Sequence, residues 1–497
     1  MMDRFKPSLL SFVVMAISVG CAAGGVSLDT PEARLEAEID HLLADPAFAS
    51  ATWGVYIESP DKREVLYRRN EDKLLIPASN LKLFTTAVAL VRFGPNFTYK
   101  TRLYYDGKIR NGVLKGDLVI RGSGDPTISG RYNGGDLTAT FREWSDSLKS
   151  LGINRIEGSI IGDDDYFDDV PLGKGWSWDD EPYWYSAHIS GLSFNDNAID
   201  LKIRPGEKPG DKAVIKLDPP TAYVQIKNNI RTTEPDSISY YGFSRSIDGN
   251  VFTFWGKFPI NKKESKTWAS VRNPTLYTAT VLKETLESAG IEITGEAKDV
   301  DDISSKPNYS KMRIAAVYAS PPMSTIIKTV NKPSQNFYAE QLLKTLGKEY
   351  QNEGSSSAGV KVVKSFLNAV GIDGNAIKIV DGSGLSRLNL VSPRQVATLL
   401  RYMRQHRYGK YYYDSLPIAG LDGTIRRRMI GTNAQGNLRA KTGHISYVRA
   451  LSGYVTTADG EDIVFSFIVN NYDVPTSMAD ELQNRIGVIL SNYSRGN

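Results

Sequence analysis

Apolar residues recur at helical spacing near both ends of the chain and at strand spacing through its middle. Residues 31–45 (PEARLEAEIDHLLAD) read as an amphipathic helix with Pro31 near its start. Residues 53–57 and 64–67 read as two strands, with Ser59-Pro60-Asp61-Lys62 as the turn between them. A second helix is predicted after Pro77-Ala78 and carries Leu81, Leu83, Phe84, Ala87, Val88 and Leu90. From 97 to about 308 the texture changes to short strands and Gly/Asp turns, as in 101–105, 117–120 and 213–217. Helical runs there are few, one near 141–151 and another near 276–289. After Lys311 helical periodicity returns in 325–330, 336–346, 359–369 and 393–405. Residues 447–457 and 462–470 predict adjacent antiparallel strands, and a last helix lies near 476–490. A helix–strand start and a helix–strand end imply one α/β domain closed by both ends of the chain. The middle then reads as an insertion, which surface turns tolerate.

The extreme N-terminus is a separate matter. A positive start, a short apolar run from Leu9 to Ile17 and small residues through Gly25 predict a secretory signal over 1–23. Val19-Gly20-Cys21 also resembles the end of a lipoprotein signal, although Ser18 stands where such a box wants Leu. On that reading the signal is 1–20 and Cys21 is a candidate lipid anchor. Cys21 is the only cysteine, so it has no internal disulfide partner. The expectation is an exported, periplasmic protein, with or without a membrane tether.

Roughly 470 residues remain after the signal, too many for one ordinary core. Charged residues make up 23% and apolar ones 41%, as in a folded soluble protein. The net charge of +4 with no dense basic patch gives no support to nucleic acid as a partner. The four histidines, His41, His188, His406 and His444, show no metal-ligand spacing. No GxSxG elbow and no phosphate-cradling loop is present. No metal or cofactor is therefore expected.

Three short clusters carry chemistry. Ser79-Asn80-Leu81-Lys82 begins the second predicted helix and sets a hydroxyl and an amine on one face. Free N–H groups and the helix dipole favour developing negative charge there. Ser334-Gln335-Asn336 precedes a helix, where Ser and Asn also serve as plain caps. Lys441-Thr442-Gly443 precedes a strand, and Gly443 permits close backbone approach. Singly each is weak. Together, Ser-x-x-Lys, Ser-x-Asn and Lys-Thr-Gly form the arrangement of penicillin-binding proteins and serine β-lactamases.

The chain resembles more closely the D-alanyl-D-alanine carboxypeptidase/endopeptidase family, the low-molecular-mass class C penicillin-binding proteins of DacB type. The resemblance rests on the three clusters and on Gly124-Asp125-Pro126, Trp176-Ser177-Trp178-Asp179-Asp180, Asp381-Gly382-Ser383-Gly384-Leu385-Ser386-Arg387 and Leu421-Asp422-Gly423-Thr424. It implies an α/β multidomain fold. A β-lactamase-like transpeptidase domain, an antiparallel sheet flanked by helices, is made from 26–96 and 309–497. Two nested inserted domains fill 97–308, the inner one at about 109–175.

The resemblance also implies roles. Ser79 is the nucleophile and Lys82 its base, with the N–H groups of Ser79 and His444 as oxyanion hole. Ser334 relays a proton to the leaving amine, and Asn336 binds substrate or orders Lys82. Lys441 keeps Lys82 neutral and, with Thr442 and Gly443, receives the substrate's terminal carboxylate. Arg387 and Ile445 line the pocket for the substrate's diamino-acid side chain, and Asp168 and Asp169 reach its amine. The implied partners are peptidoglycan stem peptides and β-lactams; oligomeric state is left open. His444 replaces the Thr or Ser usual after Lys-Thr-Gly. Trp176, Trp178, Tyr183, Trp184 and Tyr185 read as packing between domains. Competing readings are a β-lactamase or promiscuous esterase of the same superfamily, or a non-catalytic binder of cell-wall peptides.

Overall fold

The computed structural model describes residues 30–496, so the predicted signal and Cys21 lie outside the described residues. Among the described residues no helix is long and apolar enough to cross a membrane.

A five-stranded antiparallel sheet organises the two ends of the chain. Its order is Arg439–Ile445, Val448–Thr456, Asp462–Asn470, Thr52–Ser59, Glu64–Arg69. Both faces are buried, so apolar residues alternate between two cores instead of between core and water. Val55, Ile57, Phe465, Phe467 and Val469 face one core, closed by the helices Pro31–Leu43 and Thr476–Asn492. Tyr56, Val464, Ile468, Ala450 and Tyr454 face the other. That second core holds the helices Lys82–Phe93, Met323–Asn331, Asn336–Gln351, Ser356–Ala369 and Pro393–Gln405. The helix Pro393–Gln405 starts with a reciprocal cap: Ser392 Oγ accepts from Gln395 N and the Gln395 side chain accepts from Ser392 N.

The insertion has its own sheets, and two of its expected edges move. A five-stranded sheet runs in the order Ala297–Asp299, Ile160–Asp163, Leu118–Arg121, Lys100–Tyr105, Arg313–Ala319. The last of these strands pairs with Lys100–Tyr105, which carries the insertion past 308 to about 319. The stretch 109–175 does not close on itself either. Arg155–Ile156 pairs with Glu292–Ile293, and Ile160–Asp163 with Ala297–Asp299. Two three-stranded sheets are instead drawn wholly from 198–270. One has the order Val214–Asp218, Ala198–Arg204, Ser265–Ser270; the other has Gln225–Thr233, Val251–Pro259, Tyr240–Arg245. The unit whose ladders close on themselves is thus 198–270.

Candidate active site

The Ser79 cluster lies at the entry to the first helix of the second core. Ala78–Leu81 forms a 3₁₀ turn, and the α-helix proper begins at Lys82. Ala78 holds φ at +46, a left-handed conformation that costs a residue with a Cβ. Packing keeps it there. A Cβ added to Gly384 would lie 1.9 Å from the Ala78 carbonyl oxygen, and one added to Gly443 would lie 2.5 Å from that of Pro77. Two glycines therefore let a loop and a strand press against this turn.

Lys82 is fully buried. Its Nζ donates to Ser79 Oγ at 2.8 Å, Asn336 Oδ1 at 2.6 Å and the Ser383 carbonyl at 2.7 Å. Burial pushes its pKa down to about 7, against the opposing pull of Asp381 and Glu340. Near neutral pH the amine and ammonium forms therefore coexist. Asn336 is held in turn, its Nδ2 donating to the Tyr185 carbonyl of the insertion at 2.7 Å.

The second lysine is arranged in parallel. Lys441 is fully buried, and its Nζ donates to Ser334 Oγ and to the Thr442 carbonyl, both at 2.8 Å. Burial holds its pKa well below the usual lysine range, and the charge of Lys82 adds to that effect. Burial, and not Lys441, is the leading cause of the shift on Lys82. Ser334 has φ of +65, between Pro333 and a helix capped by the Gln335 side chain instead of by Ser334. Thr442 Oγ1 donates to Thr424 Oγ1 at 2.8 Å.

Arg439–Ile445 is the sheet's edge strand. Ala440 N donates outward, to the Pro417 carbonyl at 3.0 Å. Strand N–H groups alternate between sides, so those of Thr442 and His444 point the same way as that of Ala440. The His444 side chain is exposed and stands opposite Arg449, which pairs with Asp480. Burial of the ring's inner side and the charge of Arg449 lower its pKa.

Arg387 and Ile445 meet at one corner, where Arg387 Nη2 donates to the Ser446 carbonyl at 2.5 Å. Asp168 and Asp169 have other partners. Asp168 Oδ1 is bound at 2.5 Å by buried Lys344, so its charge is already spent on an ion pair. The Asp169 carboxylate clusters with those of Asp164 and Asp301, ligand atoms lying within 4.8 Å of one another. Burial and its acidic neighbours raise its pKa. Of the expected interdomain aromatics, Trp176 donates Nε1 to Asp381 at 3.0 Å, whereas Trp178 is 82% exposed and packs little.

Two carboxylates had been given no role from the sequence. Glu340 accepts the N–H groups of Gly382 and Ser383, the latter at 2.7 Å. Asp381 accepts those of Gly384 at 2.9 Å and Ser386 at 2.7 Å. Both are fully buried, and burial raises both pKa values, that of Glu340 to about 7. They fix the loop whose Ser383 carbonyl holds Lys82. Asn336, Glu340 and Lys344 repeat every four residues along one helix face. That polar stripe within an otherwise buried helix was the available signal.

The sequence profile of the D-Ala-D-Ala carboxypeptidase 3 (S13) family matches residues 35–493. The chain belongs to that family. A D-alanyl-D-alanine carboxypeptidase from an Actinomadura species is 33% identical over 473 residues, covering 93% of this chain and 85% of the relative. The DacB carboxypeptidase of Haemophilus influenzae is 28% identical, covering 84% and 85%. The crystal structure of penicillin binding protein 4 (dacB) from Haemophilus influenzae aligns with a TM-score of 0.79 at 25% identity, covering 92% of this chain and 99% of that one. A second structure of that protein, with a TM-score of 0.73, holds a β-lactam. The family places this chain among D-Ala-D-Ala carboxypeptidases with a penicillin-binding fold.

Proposed function

We propose that the protein hydrolyses D-Ala-D-Xaa bonds of peptidoglycan stem peptides through a Ser79 acyl-enzyme. It acts both on terminal D-Ala and on cross-links, and β-lactams acylate the same serine. The observation that carries this reading is Lys82, a buried amine with a pKa near 7 and its Nζ 2.8 Å from Ser79 Oγ.

Neutral Lys82 takes the Ser79 proton as Oγ attacks the carbonyl between two D-residues. The N–H groups of Ser79 and His444 receive the developing oxyanion. Its outward-pointing N–H supports His444 in this role, which a backbone group performs whatever its side chain. The C–N bond then breaks, and the proton returns through Ser334 to the leaving amine. Lys441 and Thr442 meet the substrate's terminal carboxylate, whose charge restores the proton that burial discourages on Lys441. Asn336 positions Lys82. Water, activated by Lys82, opens the ester and regenerates Ser79. Arg387 and Ile445 border the substrate's side-chain pocket. No metal takes part.

The leader pattern and the substrate's location support an exported, periplasmic enzyme. Lipidation at Cys21 predicts that Cys21→Ser frees the protein from the membrane fraction.

The test is digestion of a pentapeptide monomer and a cross-linked dimer by wild type and Ser79→Ala, followed by fragment mass analysis. Loss of one alanine and splitting of the dimer are expected, both abolished by Ser79→Ala. If wild type does neither but turns over nitrocefin rapidly, the β-lactamase reading replaces this one.

A further inference from the structure

A cavity of about 510 Å³ opens beside Ser334, with Pro333 and Gln335 in its wall. Its other side comes from the insertion, including Ala198, Leu201 and Trp268 of the strands Ala198–Arg204 and Ser265–Ser270. The volume lies within the range of about 300–1,000 Å³ typical of small-molecule sites. We propose that this cleft is a saccharide subsite, binding the uncharged glycan that carries the stem peptide. The proposal rests on the peptidoglycan reading above.

Aromatic faces come first. Trp184 and Trp268 both line the cavity and are 37% and 44% exposed. A tryptophan left half open within a concave wall offers a flat apolar face with a polar rim. The C–H face of a sugar ring matches it. Trp268 is also held in place, its Nε1 donating to Asp200 Oδ2 at 3.1 Å. Asn195 Nδ2 fixes the other oxygen of that carboxylate at 2.8 Å.

Charge decides between a saccharide and a peptide. Arg131 pairs with Asp196 and Lys202 with Asp218, both at 2.6 Å. Lys266 and Asp200 also line the wall. Three cations thus face three carboxylates, leaving no net charge. A second stem peptide, rich in carboxylates, calls for a cationic excess that this wall lacks. An uncharged polyhydroxylated ring does not.

The cleft is bonded to the catalytic helix. Gln335 Nε2 donates to Asp196 at 2.7 Å, and Gln335 Oε1 accepts from Phe337 N at 3.3 Å at the start of the helix bearing Asn336. Glycan seated here therefore lies next to the loop that presents Ser334.

The probe is a peptide-free N-acetylated tetrasaccharide, titrated into the full chain and followed by saturation-transfer NMR. Wild type and Ser79→Ala are expected to bind alike, and Trp268→Ala to weaken binding about tenfold or more. Trp268→Phe, which keeps a ring face, restores part of it and controls for misfolding. In kinetics, Trp268→Ala should raise KM for intact sacculi about tenfold while a soluble diacyl-D-Ala-D-Ala peptide and β-lactam acylation stay within about twofold. No tetrasaccharide binding by folded wild type overturns the proposal. So does an equal loss on soluble peptide and sacculi, or stronger binding of a glycan-free cross-linked peptide at Trp268. Saccharide binding without any peptide hydrolysis by wild type would leave the subsite standing and sink the enzymatic reading instead.

Discussion

Lys82 and Lys441 are both fully buried and each sets its Nζ 2.8 Å from a serine hydroxyl, yet the two halves of the cleft around them are built differently. The Lys82 half is a helix packed against a loop that wraps two buried carboxylates, Glu340 and Asp381. The Lys441 half is a strand edge, and the charge acting on its amine is the other lysine. Burial alone suffices to push a lysine toward its neutral form. Carboxylates one bond removed then set how far it goes. Burial with carboxylates nearby leaves the first amine's pKa at about 7, while burial beside a cation holds the second's well below the usual lysine range.

The largest effect expected from breaking this contrast is at Lys82. Lys82→Met keeps the volume and removes the base, so acylation by a fluorescent penicillin should slow about 10⁴-fold, read by stopped flow. Next comes the packing that holds the same half together. Gly384→Ala sets a Cβ against the Ala78 carbonyl at a residue with φ of +81, and should cost about 3 kcal/mol in denaturant unfolding. On the other side, Ser334→Ala should slow hydrolysis of a soluble D-Ala-D-Ala peptide about 10²-fold. β-Lactam acylation should suffer less, because its leaving nitrogen stays tethered.

The smallest effect is the most diagnostic. In the proposed mechanism only unprotonated Lys82 acts as the base, so the acylation rate should rise with pH through about 7. Glu340 raises the pKa of Lys82, so Glu340→Gln should lower it and move that rise toward acid. An unmoved profile would show that Glu340 only props the loop.

The three lysine and serine clusters were legible because each fixes a local geometry within a few residues. The catalytic sheet was legible because 447–457 and 462–470 are long and continuously patterned. The insertion's inner boundary was not. Its deciding pairs are as short as Arg155–Ile156 with Glu292–Ile293, joined across more than a hundred residues, and two-residue strands leave no periodicity to read. Glu340 was hidden for another reason. Its helix is buried all round from Asn336 to Gly347, so the four-residue spacing of Asn336, Glu340 and Lys344 was its one signal and was not read. The ion pair of Asp168 was hidden because its partner Lys344 lies far along the chain.

The catalytic sheet sets Thr52–Ser59, the first strand of the described chain, directly against Asp462–Asn470, the last. Ser79 and Lys82 are synthesised early, but what encloses them comes late. Asn80 Nδ2 reaches Ser452 Oγ at 2.6 Å, and that hydroxyl reaches Ser466 Oγ at 2.9 Å. Docking of this C-terminal hairpin therefore completes the packing around the turn that carries Ser79. The order of synthesis thus leaves the turn that carries Ser79 to be closed by the last strands made.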